Sequence, residues 1–127
     1  MDRLMAISPV DGRYGERVAE LVPFYSEFGL MRYRVLVEIE YFIALSQAGL
    51  PQFAGFPARK EQELRAVWNS FSPADADLIK QKEAVTNHDV KAVEYFVKEK
   101  VNAAGLGNWA EFVHFGLTSQ DINNTAQ

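Results

Sequence analysis

The stretch from about Ser26 to Ala48 decides the class of fold. Phe28, Met31, Val35, Ile39, Phe42 and Ile43 recur every three or four residues, which places them on one face of a helix. Leu30, Val37, Tyr41 and Leu45 fall elsewhere on the same wheel. A helix with apolar residues on more than one face is buried between neighbours rather than laid on a surface. Gly49 and Pro51 then supply its stop.

The remaining segments supply such neighbours. Residues 1–14 carry turn formers, Ser8-Pro9-Val10-Asp11-Gly12 above all, and read as irregular. A short helix is expected from Glu16 to Val22, ended by Pro23. Residues 50–58 form a loop. A polar helix is expected from Ala58 to Phe71 with Leu64, Val67, Trp68 and Phe71 as its apolar stripe. Ser72-Pro73-Ala74-Asp75 is a helix start, with Ser72 as cap, Pro73 in the first turn and Asp75 near the positive end, leading a helix to about Ala84. Val90, Val93, Phe96, Val97 and Val101 fit a helix beginning near Asp89 and stopped by Gly105 and Gly107. Asn108 is expected to cap a short helix through Phe115. After the break at Gly116, Thr118-Ser119 starts another helix with Asp121 in its first turn. No alternating strand pattern occurs, so the expected class is all-α, in one domain over residues 1–127. The final helix has barely begun at Gln127, which reads as a piece of a longer protein.

Composition narrows function. The chain has 127 residues, with 13 basic against 17 acidic side chains and a net charge of −4. That balance argues against a general electrostatic grip on nucleic acid or an anionic membrane. There is no cysteine, which removes disulfides, thiolate metal sites and a cysteine nucleophile. Two histidines, His88 and His114, are too few for a metal site without carboxylates. The start Met1-Asp2-Arg3-Leu4-Met5 lacks the apolar run of a signal peptide, and no segment has the roughly 20 apolar residues of a membrane span. The expected setting is the cytoplasm.

Three polar segments sit in loops or at expected helix starts: Gly12-Arg13-Tyr14, Asn87-His88-Asp89 and Thr118-Ser119-Gln120-Asp121. A helix start offers free amides and partial positive charge to carboxylates and phosphates. Arg13 adds a fork for phosphate and Tyr14 a hydroxyl, and His88 is a candidate for proton transfer. Each residue also has a plainer reading. Arg13 is then a solvated or ion-paired arginine and Tyr14 a part-buried aromatic. Asn87, Asp89, Thr118 and Ser119 are helix caps, and His88 a surface or capping residue. His114, on the amphipathic stretch 109–115, reads as a satisfied, half-buried histidine.

The same segments carry a resemblance. Ser8-Pro9-Val10-Asp11-Gly12-Arg13-Tyr14, then Thr86-Asn87-His88-Asp89-Val90-Lys91-Ala92-Val93-Glu94-Tyr95-Phe96, then His114-Phe115-Gly116-Leu117-Thr118-Ser119-Gln120-Asp121-Ile122-Asn123-Asn124-Thr125 resemble the adenylosuccinate lyases of the fumarase/aspartase superfamily. The resemblance runs through nearly the whole chain in order and spacing. It implies a β-elimination that releases fumarate from adenylosuccinate, giving AMP, and from the succinyl-carboxamide ribotide, with no metal or organic cofactor. It implies a homotetramer whose active sites draw on three subunits. Arg13 and Tyr14 resemble the pair that holds the nucleotide phosphate. Asn87, His88 and Asp89 resemble the segment lining the substrate pocket, and Thr118 and Ser119 the residues that bind the succinyl or fumarate carboxylate. His114 resembles a lesser aid to phosphate.

The family's catalytic histidine, in a Gly-Arg-Thr-His type motif, and its catalytic serine, in a Ser-Ser-x-Met-Pro type loop, have no counterpart here. The chain therefore reads as the N-terminal helical domain of such a lyase, reaching the start of its first core helix, with no catalytic residue of its own and no activity alone. The competing expectation is a free-standing helical module that binds a partner without chemistry. The many-sided apolar helix is further expected to leave a patch that promotes self-association.

Overall fold

The computed structural model describes residues 2–127, so Met1, which opens the expected irregular segment, lies outside it. Six α-helices follow in order: α1 Val22–Tyr25, α2 Glu27–Ser46, α3 Glu61–Asn69, α4 Pro73–Thr86, α5 Asp89–Ala103 and α6 Ser119–Ala126. Short 3-10 turns at Arg3–Met5, Ala19–Leu21, Pro51–Phe53, Ala58–Lys60 and Gly107–Phe112 link or precede them. No strand occurs among the described residues, and the protein is all-α. No helix among them is long and apolar enough to cross a membrane.

The long helix is the axis of the fold. Ser26 caps α2 by accepting from the Gly29 amide at 3.0 Å. All the other α-helices touch α2. Its predicted face is buried at Met31, Val35, Ile39, Phe42 and Ile43, and no residue from Phe28 to Ile43 is exposed. This is why its apolar residues are not confined to one stripe: it has neighbours all round. α4 and α5, joined only through Asn87 and His88, fold back on each other. Val93, Phe96, Val97 and Val101 carry α5 into the same core as Ile39 and Phe42. Phenylalanines knit the layers, with ring centroids 5.0 Å apart for Phe53–Phe112, 5.4 Å for Phe28–Phe71 and 5.9 Å for Phe71–Phe96.

Four expectations need correction. Pro23 does not end a helix over Glu16–Val22. Residues 16–18 are turns, and Pro23 sits in the first turn of α1, where its missing amide costs nothing. The segment from Ala58 begins as a 3-10 turn, and the α-helix proper ends at Asn69. Asn108 does not cap an α-helix, because Gly107–Phe112 is 3-10 and Val113 is extended. The exposed apolar surface also lies elsewhere than on α2. Much of it is carried by Leu4, Met5, Ile7, Phe24 and Tyr25, ahead of the long helix, with Val85 on α4 exposed as well.

Candidate functional site

One side of α2 is polar although buried. Arg34, Glu38 and Tyr41 step by four and three residues, so they form a seam down one face. Arg34 Nε donates to Asn123 Oδ1 at 3.0 Å, and its Nη2 pairs with Asp89 Oδ2 at 3.0 Å. Glu38, fully buried, lies with Oε1 2.5 Å from His114 Nδ1. Tyr41 donates its hydroxyl to the Phe115 carbonyl at 2.8 Å. The seam thus holds His114, Phe115 and Asn123, which bracket Thr118-Ser119. None of its three members was among the predicted site residues. The signal was present: two charges a helical turn apart in the middle of a buried apolar run must have partners.

Burial pushes the Glu38 carboxyl above the usual carboxylate range. The His114 hydrogen bond and charge pull the other way, and Glu94 adds to the rise. The second oxygen, Oε2, has no hydrogen-bond partner. His114 adopts φ 64°, a left-handed conformation, and Gly116 follows at φ 74°, so the backbone turns sharply into α6.

Two helix starts converge beside this seam. His88 is the N-cap of α5: its Nδ1 accepts from the Lys91 amide at 3.1 Å. A neutral ring that accepts at Nδ1 carries its proton on Nε2. That Nε2 lies 3.3 Å from Ser119 Oγ at the start of α6. Thr118 caps α6 in a reciprocal box, in which its amide donates to Asp121 Oδ2 at 2.9 Å and its hydroxyl oxygen accepts from the Asp121 amide at 3.4 Å. The Thr118 amide and hydroxyl, both donating to Oδ2, hold the Asp121 carboxyl below the usual range. Asp89 is buried enough to be pushed up, but the Val90 amide and Arg34 outweigh that and hold its carboxyl low. The Ser119 hydroxyl proton and the Ser119 and Gln120 amides have no partner among the described residues. They lie where two positive helix ends meet, an arrangement suited to a carboxylate or phosphate.

The structure brings His88, Asp89 and Ser119 together and leaves Arg13 and Tyr14 apart. Arg13 and Tyr14 are exposed, with the guanidinium 5.3 Å from the Tyr14 ring centroid and Arg17 stacked at 5.9 Å. No hydrogen bond or ion pair joins either to the α5–α6 cluster among the described residues. Gly12 sets their loop: a Cβ there would lie 2.4 Å from the Arg3 carbonyl oxygen. The plainer readings hold in part. Thr118 and His88 cap helix starts and Asn87 caps the end of α4 at φ 55°, whereas Asp89 and Ser119 are the first residues of α5 and α6 and cap neither. Among the described residues, no three histidine, aspartate or glutamate side chains are grouped to hold a metal.

No family model matches the chain. Individual relatives do. The chain is 50% identical over 130 residues to the adenylosuccinate lyase of Dictyostelium discoideum, across 99% of this chain. It is 49% identical over 128 residues to that of Vibrio cholerae and 48% identical over 126 residues to that of Escherichia coli. The chain is thus similar to these adenylosuccinate lyases along nearly its whole length. It spans about 28% of the length of those relatives. The positions that the adenylosuccinate lyase resemblance singled out are therefore parts of a larger family chain, and two of its three segments meet at His88 and Ser119.

Proposed function

We propose that this chain is the N-terminal domain of an adenylosuccinate lyase and that it grips the anionic ends of the substrate. In this reading the Ser119 and Gln120 amides and the Ser119 hydroxyl hold a carboxylate of the succinyl group, later of fumarate. Thr118 shapes that site as its cap. His88 stands beside it, between Asn87 and Asp89, with Nε2–H directed at the Ser119 hydroxyl oxygen. Arg13 and Tyr14 take the nucleotide phosphate, one by a bidentate fork and the other by a hydroxyl.

The reaction is the β-elimination of fumarate from adenylosuccinate, giving AMP, and from the succinyl-carboxamide ribotide. A base removes a proton from the succinyl carbon, the carbon–nitrogen bond breaks, and an acid protonates the leaving nitrogen. The base and acid come from the rest of the enzyme, in a cytoplasmic homotetramer whose sites combine subunits, without metal or organic cofactor. The observation that carries the reading is the convergence of the α5 and α6 starts through His88 and Ser119, in a chain about half identical to adenylosuccinate lyases.

The test follows the reading frame past Gln127 and assays the complete product for fumarate released from adenylosuccinate. The complete product turns over and the 127-residue chain alone does not. A complete product without turnover, or a stop codon directly after Gln127, would contradict the reading and leave a helical binding module.

A further inference from the structure

We infer that Arg34 is a positioning residue that fixes the spacing between the starts of α5 and α6, and with it the His88–Ser119 contact. The functional half of this inference rests on the lyase reading above, and the structural half does not. Arg34 lies midway along α2, the helix that every other α-helix touches, so its backbone is the best-anchored point near the site. Its guanidinium is only 8% exposed and reaches in two directions. One arm holds Asp89, the first residue of α5, and the other holds Asn123, on the second turn of α6.

The guanidinium is planar and rigid, so two ligands on its fork are held at a set separation. A lysine ammonium at the same place is a single point charge on a flexible stem and cannot clamp both partners at once. The clamp is also self-consistent in charge. Asp89 keeps its carboxyl ionised beside Arg34, and its other oxygen accepts from the Val90 amide at 2.8 Å, so the α5 start is pinned on both sides. Arg34 belongs to no apolar cluster. The packing that makes the domain runs through Ile39, Phe42, Val93 and Phe96 instead. Loss of the clamp should therefore loosen α6 relative to α5 without dissolving the core. Ser119 would then drift from His88 Nε2, and the carboxylate site would lose its shape.

Arg34→Lys separates this role from a merely structural one. In the 127-residue chain, amide hydrogen exchange over residues 118–124 should speed by tenfold or more, while the amides of Ile39 and Phe96 keep their protection. In the complete enzyme, KM for adenylosuccinate should rise by tenfold or more, with a smaller change in kcat. If Arg34→Lys does not fold, Asn123→Ala removes one arm only and should speed exchange over the same residues. Unchanged exchange at 118–124 in the folded variant overturns the positioning role. Faster exchange with an unchanged KM overturns its functional half. A wild-type complete product without turnover overturns the lyase reading, and the exchange result still decides the clamp.

Discussion

The imidazole of His88 is occupied at both nitrogens. Nδ1 accepts from the Lys91 amide at 3.1 Å, and Nε2 faces Ser119 Oγ at 3.3 Å. The cap and the site contact can be separated by substitution. His88→Ala should cost about 1 kcal/mol in urea unfolding, the usual value of an N-cap. His88→Asn should restore most of that stability, because asparagine caps well, without restoring the donor beside Ser119. If both variants unfold at the wild-type urea concentration, the cap is not as the geometry has it. Glu38 gives a second prediction. Its folded carboxyl titrates above its ordinary 4.5, so its contribution to stability is complete below that value and is lost as pH rises through the raised pKa. Unfolding followed from pH 4.5 towards neutrality should show a decline in wild type that is flatter in Glu38→Gln. Asp89 has the opposite sign: its contribution is present above its ordinary 3.8 and is lost on further acidification.

The helices show why some of the design can be read directly and some cannot. Ser72 and Thr118 announce α4 and α6 because each is followed three residues later by an aspartate that completes a capping box. The stripe of α2 is legible because its period is regular over 20 residues. Asn108 misled because Gly105 and Gly107 favour a tight turn, and the chain continues as 3-10 rather than α. Pro23 misled because proline marks a helix start as readily as a stop. The seam of Arg34, Glu38 and Tyr41 was hidden because its partners lie 55 to 89 residues away along the chain. Local pattern shows that such charges need partners but not which ones. Gly29 is a further tertiary feature. A Cβ there would lie 2.4 Å from the Pro23 carbonyl oxygen, a backbone atom that cannot swing aside. Gly29→Ala should push α1 off α2 and cost about 1–3 kcal/mol, read as a lower midpoint in chemical unfolding. An unchanged midpoint would mean that α1 does not sit against α2 in solution.

For the whole molecule, one buried axis supports a site that stays open. The core cluster is drawn from α2 to α5 and the turns beside them, whereas Leu4, Ile7 and Tyr25 are 92%, 103% and 83% exposed. Apolar surface of that kind promotes association. The sedimentation coefficient of the 127-residue chain should rise with concentration, and Leu4→Ser with Ile7→Ser should reduce the rise. A single concentration-independent species would count against it. In the proposed function the α6 start, set by the α2 seam and facing His88, binds a substrate carboxylate. That binding is tested most directly by kcat/KM for adenylosuccinate in the complete enzyme with Ser119→Ala. The expected result is a fall of at least tenfold, about 1.4 kcal/mol of lost transition-state stabilisation, with the fold intact by circular dichroism. An unchanged kcat/KM would contradict it.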